Sequence, residues 1–326
     1  MTVPSSVLQD VQEALEARTG TPSRVVSATP VTGGCINPSA RLEDQSGEHY
    51  FLKWNPASPP EMFEAESDGL RGLAGAGTLR VPEVFGLGGS GTAEEPGWLL
   101  LEFISQGHPA SDYGPRLGEG LAHLHNSGPA SVDFPGQHEP GGRSEPELRR
   151  ERPYGWHRDN FIGSLPQRND PSEDWASFWR DRRLEPQLRL ARNRGHFTGT
   201  GGRLMEELLE QTEGLLDDSA GDSPALLHGD LWSGNFYAGP GGEPVIIDPA
   251  VYRGAGEVDL AMMELFGSFP HRFREGYEGL RSVPPEYAAF RRDLYQLYYL
   301  LVHVNLFGGS YVSGSMAAAE RALRGN

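Results

Sequence analysis

Three oxygen-bearing side chains at fixed spacing limit what this chain can fold into more than any other feature of its 326 residues. Asp230 is followed five residues later by Asn235, and thirteen residues beyond that Asp248 closes the apolar run Val245-Ile246-Ile247. The intervening Ala238-Gly239-Pro240-Gly241-Gly242-Glu243-Pro244 is dense in turn formers, so the flanking segments are expected to fold back as a hairpin. That would bring Asn235 and Asp248 to one end. Both supply hard oxygens of the kind that Mg2+ takes beside phosphate oxygens and water. A carboxylate five residues before such an Asn suits the base that accepts a hydroxyl proton during attack on phosphorus. The spacing is that of a kinase-type catalytic loop. His228-Gly229-Asp230 alone would say little, because such tripeptides occur by chance and their side chains also cap turns.

A compositional bias singles out a fourth residue. Of 28 basic side chains 27 are Arg, and Lys53 is the one Lys. A compact ammonium fits between phosphates and a carboxylate where the wider guanidinium fork does not. The residues before it read as a helix (Val7, Val11, Leu15), a strand over 25–31, a turn at Gly33-Gly34-Cys35, and a β pattern from Leu42 to Trp54. Gly33 and Gly34 would let backbone amides approach phosphate oxygens, although an ordinary hairpin also needs such glycines. Residues 61–74 have helical spacing, and Glu66 is the expected partner of Lys53, with Glu64 and Glu61 as rivals. Residues 81–84 and 98–103 supply further strands, about five in all. Glu102-Phe103-Ile104 then runs as an extended linker whose backbone would meet a nucleotide base.

From residue 105 onward the pattern is mainly helical: 116–125, 175–190, 204–216 and 287–307, with 195–202 as a Gly-rich connection. Residues 126–152, rich in Pro, Gly and Glu, read as a mobile surface insertion. The expected fold class is therefore α+β. A nucleotide-binding lobe over 1–104 carries a five-stranded antiparallel sheet and a helix, and a larger helical catalytic and substrate lobe spans 105–326. Asp259 is expected to cap its helix or tie down the catalytic loop by accepting backbone N–H bonds. His303 and Asn305 read as hydrogen-bonded core residues before they read as substrate contacts.

A formal net charge of −17 argues against a general nucleic-acid or anionic-membrane binder. A single cysteine, Cys35, excludes an intrachain disulfide and leaves one between two chains open. The first twenty residues lack the basic-then-apolar order of a signal peptide, and the apolar stretch 294–307 is too short to span a bilayer. A cytoplasmic location is expected by default.

Several segments together carry a family resemblance: 33–37 (GGCIN), 66–70 (ESDGL), 159–163 (DNFIG), 227–235 (LHGDLWSGN), 247–250 (IDPA), 264–267 (ELFG) and 305–309 (NLFGG). The chain resembles the fructosamine kinase (ketosamine 3-kinase) family, within the protein-kinase-like, aminoglycoside-phosphotransferase-like enzymes. The resemblance implies ATP-dependent, Mg2+-assisted phosphorylation of the 3-hydroxyl of a ketosamine, free or on a protein amine, leading to deglycation. It implies Asp230 as base, Asn235 and Asp248 as metal ligands, Lys53 and Glu66 as the phosphate-positioning pair, and Trp232 as a platform for the sugar. Cys35 matches a cysteine that in some members suggests redox control, so the chain would be a monomer or a disulfide-linked dimer. A passive small residue there is the simpler reading. Ala40, where the family often has an aromatic, and the long insertion before Tyr154 depart from the pattern. The alternatives are a kinase of the aminoglycoside or choline type and a nucleotide-binding pseudokinase.

Overall fold

A computed structural model describes residues 2–31, 37–59, 61–128, 153–217 and 223–325. Its first part is a sheet covered on both faces. Strands β1 (Val25–Val31), β2 (Ser39–Asp44), β3 (His49–Asn55), β4 (Val84–Gly88) and β5 (Gly97–Glu102) pair antiparallel in the order β1-β2-β3-β5-β4. Side chains alternate faces along a strand, so Leu52 and Trp54 with Trp98 and Leu100 point one way, against Val7, Val11 and Leu15 of helix α1 (Ser5–Thr19). Phe51 with Leu99 and Leu101 point the other way, against Phe63 and Leu70 of helix α2 (Glu61–Ala76). Lys53, between Leu52 and Trp54, is thereby committed to the α2 face. The expected sheet has two covering helices, one per face.

The strand expected at 81–84 begins only at Val84 and runs on through Gly86 to Gly88. Pairing explains the shift: Gly86 and Gly88 lie under the Trp98 indole, which needs a neighbour without a side chain.

After the linker, helix α3 (Tyr113–Asn126) enters the helical lobe. A short hairpin, β6 (Asn160–Ile162) with β7 (Leu165–Gln167), follows. Helices α4 (Trp175–Phe178) and α5 (Glu185–Asn193) are joined by a π-turn over Trp179–Leu184, so the helix expected over 175–190 is present but bulged. Helix α6 runs over Gly199–Leu216 and takes in residues expected to be loop. Gly201 sits against Met316, where small size gains close packing. Three more short strands precede or follow residues 228–235: β8 (Ala225–Leu227), β9 (Phe236–Ala238) and β10 (Pro244–Ile246). β9 and β10 form the expected hairpin. β11 (Tyr252–Gly254) returns to pair with β8. Helices α7 (Glu257–Leu265), α8 (Phe273–Glu278), α9 (Arg292–Phe307) and α10 (Val312–Arg324) complete the lobe around the fully buried Tyr295, Tyr298 and Tyr299.

The lobes are joined at several points besides the chain itself. Ile246 N–H donates to Arg80 O (2.9 Å), and Gly107 N–H of the linker donates to Ala238 O (2.8 Å). Arg80 reaches Glu102 (2.7 Å) and Glu243 (2.6 Å), one carboxylate on each side of the boundary. Among the described residues no helix is long and apolar enough to cross a membrane.

Candidate active site

Buried groups hold the loop over residues 228–230. Gly229 lies at φ +82°, and a Cβ there would come within 2.1 Å of Ala250 O, so only glycine fits this turn. Its N–H donates to Asp259 Oδ1 (2.9 Å), its carbonyl accepts Tyr299 Oη (2.8 Å), and His228 N–H donates to Asp259 Oδ2 (2.8 Å). Asp259 thus ties the loop down, one of its two expected roles. His228 Nδ1 accepts the Asp230 N–H (3.2 Å), which leaves Nε2–H to donate to Ile247 O (2.8 Å). Burial lowers the His228 pKa, in keeping with a neutral ring that acts as a fixed spacer.

Around that loop the far-apart residues meet. Lys53 Nζ lies 2.6 Å from Glu66 Oε1 and 2.7 Å from Asp248 Oδ1. Burial by itself would lower the ammonium's pKa. The Asp248 and Glu66 charges outweigh that, and the group is held well above its ordinary value. Glu66 is the partner, as expected. Glu64 instead pairs with Arg158 (3.1 Å), and Glu61 is exposed. Asn235 Nδ2 donates to Asp230 O (2.8 Å) and lies 3.2 Å from Asp230 Oδ2. Asp248 stands at φ 56°, a left-handed conformation that costs a non-glycine residue on the order of 1 kcal/mol. The ion pair with Lys53 and the Ala250 N–H to His228 O bond (2.9 Å) hold it there. Burial pushes the Asp230 carboxyl well above the usual range, with the nearby Asp248 charge adding to the rise.

These residues line one interlobe cleft of about 710 Å³. Lys53, Glu66, Leu101 and Phe103 come from the sheet lobe and its linker; Asp230, Trp232, Asn235 and Asp248 come from the helical lobe. The Trp232 indole is half-buried and lies over Gly234, where a Cβ would come within 2.3 Å of the ring. Glu102, Phe103 and Ile104 all border the cleft. However, the Glu102 N–H is committed to Glu83 O (2.8 Å), its carboxylate to Arg80, and Ile104 O to Tyr237 Oη (3.0 Å). Two of those bonds, at the Glu102 N–H and the Ile104 carbonyl, remove backbone groups from the recognition edge expected of this linker. Gly33, Gly34 and Cys35, and most of the 126–152 insertion, lie outside the described residues. Asn305 is buried with its amide on Gln187 O and Oε1 (2.9 Å each). His303 Nδ1 meets Tyr299 O (2.8 Å) amid Phe266, Phe307 and Tyr311.

Sequence reading missed the structural part played by the β6–β7 hairpin. Phe161 and Gly163 border the cleft. Behind it Asn160 Nδ2 donates to Val251 O (2.8 Å) and Gln167 Nε2 to Ala250 O (3.3 Å), which fixes the backbone just after Asp248. The DNFIG segment carries a family resemblance, but no local signal in it shows which backbone its amides reach.

A cleft that brings a sheet-borne ammonium and its helix-borne carboxylate to a loop carrying Asp and Asn, with a second Asp returned by the hairpin that follows, is the arrangement of a protein-kinase-like fold. Comparison with known proteins narrows the class. The fructosamine kinase family profile matches residues 7–325. A probable ketoamine kinase of Synechocystis is 39% identical over 317 residues, 97% of each chain. The chloroplastic protein-ribulosamine 3-kinase of Arabidopsis thaliana is 34% identical over 310 residues, 94% of this chain and 85% of that one. A crystal structure of a candidate fructosamine-3-kinase from Thermobifida fusca superimposes with TM-score 0.79 at 32% identity, covering 99% of this chain and 100% of that one. The aminoglycoside phosphotransferase APH(4)-Ia, solved with AMP-PNP and hygromycin B, shares the fold alone: TM-score 0.60 at 15% identity, over 97% and 98% of the two chains. The chain belongs to the fructosamine kinase family.

Proposed function

We propose that this enzyme transfers the γ-phosphoryl group of Mg-ATP to the 3-hydroxyl of a ketosamine, a fructosamine or ribulosamine adduct of an amine. The observation that carries the reading is the meeting of Lys53 with both Glu66 and Asp248 at the cleft that Asp230 and Trp232 line. The nucleotide would lie against lobe 1–104, with Lys53 on its phosphates, and the acceptor against lobe 105–326. The acceptor hydroxyl would donate to Asp230, which takes its proton as the oxygen bonds to the γ-phosphorus and the bond to the β-phosphate oxygen breaks, releasing ADP. A carboxylate whose pKa is raised by burial is the better base for this step, provided it is ionised when the acceptor binds.

The chain's own oxygens fit Mg2+. Lys53 takes Asp248 Oδ1 and leaves Oδ2, and the Asn235 amide turns its nitrogen to Asp230 and keeps Oδ1. One carboxylate and one amide oxygen beside phosphate are a common Mg2+ donor set. When bound there, Mg2+ supplies charge neutralisation on the phosphate oxygens.

The aminoglycoside reading would need carboxylates arrayed for a polycation. Among the described cleft-lining residues Glu66 and Asp248 are paired with Lys53 and Glu102 with Arg80, which leaves Asp230 as the one carboxylate without a cationic partner. A half-buried indole and Phe161 suit a neutral sugar better. The test mixes purified protein with Mg-ATP and a ribulose- or fructose-modified amine and follows phosphorylation of the adduct by mass. Turnover of an aminoglycoside with none of any ketosamine would reject the assignment.

A further inference from the structure

The Lys53–Glu66 pair needs helix α2 at one particular place, and in kinases of this fold the position of that helix is a point of control. Here α2 is bonded to the other lobe by its own side chains. Asp68 Oδ2 accepts the Trp156 Nε1–H (2.7 Å), and Asp68 Oδ1 lies 3.1 Å from His157 Nε2. One turn away, Glu64 meets Arg158. Gly69 lies against Val251 and Pro249, so that an added Cβ would stand 3.1 Å from Val251 Cγ2.

The segment on the far side of these bonds is itself fixed to the strand that follows Asp248. Gly155 N–H donates to Arg253 O (2.9 Å), and Arg253 N–H donates to Gly155 O (2.8 Å). Glu66 is two residues from Asp68, and Asp248 is five residues from Arg253. The two carboxylates that grip Lys53 are therefore referenced to one piece of backbone, residues 155–158. Asp68, Trp156 and His157 are all largely withdrawn from water, where a charge-assisted hydrogen bond is stronger than at an exposed surface.

We propose that Asp68 is a positioning residue for nucleotide binding: by holding α2 to Trp156 and His157 it keeps Glu66 within reach of Lys53, so the ion pair is preformed without an activating event. The inference rests on the ATP-binding reading of the cleft. Asp68 touches neither Lys53 nor Glu66, so its effect has to pass through the helix.

The test is a double-mutant cycle read by the Kd for Mg-ATP in isothermal titration and by the KM for each substrate. Asp68→Ala should raise the Kd for Mg-ATP about tenfold while the acceptor KM changes less than about twofold. Asp68→Asn, which keeps an acceptor for Trp156 Nε1 and turns its NH2 group to His157 Nε2, a ring nitrogen that accepts in the other tautomer, should recover most of that loss. In a Glu66→Gln background Asp68→Ala should add less than about twofold, because the helix then has no carboxylate to position. Equal losses in both backgrounds would mean that Asp68 only stabilises the lobe contact, and the proposal would fall. It would also fall if folded Asp68→Ala bound Mg-ATP as the parent does. Should Asp68→Ala not fold, Trp156→Phe removes the same hydrogen bond from the opposite side and is read by the same criteria. A parent protein that binds no Mg-ATP would refute the function of the cleft and this inference together, a result seen before any variant is made.

Discussion

Asp259→Asn changes one oxygen to an NH2 group in a fully buried site, and its cost follows from the donors around it. Asp259 Oδ1 accepts from Gly229 N (2.9 Å), Oδ2 accepts from His228 N (2.8 Å), and His125 Nε2 is 3.2 Å from Oδ2. An amide has one accepting oxygen, so whichever way it turns, an NH2 group faces a donor and at least one buried backbone N–H loses its partner. An orphaned buried donor costs about 1–3 kcal/mol, and a bond to a charged acceptor is at the upper end, so about 3 kcal/mol is expected. At roughly 2.1 cal/mol/K of unfolding entropy per residue, a chain of 326 residues loses about 4 °C of Tm. The same bonds orient the loop that carries Asp230, and a misplacement near 1 Å costs on the order of a hundredfold in rate. Differential scanning calorimetry with initial-rate kinetics should therefore show a lower Tm, a kcat reduced by about ten- to a hundredfold, and a KM for ATP nearly unchanged. A Tm within about one degree of the parent and a kcat within about twofold would refute the idea that Asp259 holds the catalytic loop.

Three further outcomes follow from the geometry. Asp230→Asn should lower kcat by orders of magnitude while calorimetric binding of Mg-ATP is largely kept; a comparable loss of nucleotide affinity would argue against its role as base. Trp232→Ala should raise the ketosamine KM by about tenfold and leave the ATP KM alone, measured by varying each substrate in turn. In an Asp230→Asn background, which removes a raised carboxyl that works in the opposite direction, stability should also fall in mild acid. Burial depresses the pKa of His125, His228 and His303 below 6.5 in the folded chain, so the unfolded chain takes up protons that the folded one refuses. The stabilisation is fully present above pH 6.5 and is lost progressively as pH falls from there to the depressed folded-state values. Chemical denaturation midpoints at pH 7.5 and 5.5 should show the decrease, and equal midpoints would contradict it.

Much of the site was legible because its parts sit in short local patterns. Asp230 and Asn235 share one loop, the turn residues 238–244 dictate the hairpin that returns Asp248, and Lys53 stands out by composition alone. The choice of Glu66 over Glu64 and Glu61 needed the helix's rotation on the sheet. That rotation is set by Phe63 and Leu70 packing against Leu99 and Leu101. Helix α10 and the β8–β11 pair escaped notice because Ala-rich or three-residue segments carry little periodicity. The four residues 199–202 read as loop because glycine is a poor helix former, and tertiary packing overrides that preference.

The linear text alone determined which atoms are available for the proposed chemistry, since a carboxylate, an amide oxygen and an ammonium keep their character wherever the backbone carries them. Only tertiary structure decided how those atoms are held. Asp68 reaches Trp156 across 88 positions and Lys53 reaches Asp248 across 195. Contacts between residues so far apart depend on how sheet and helices pack, which no short window of residues encodes.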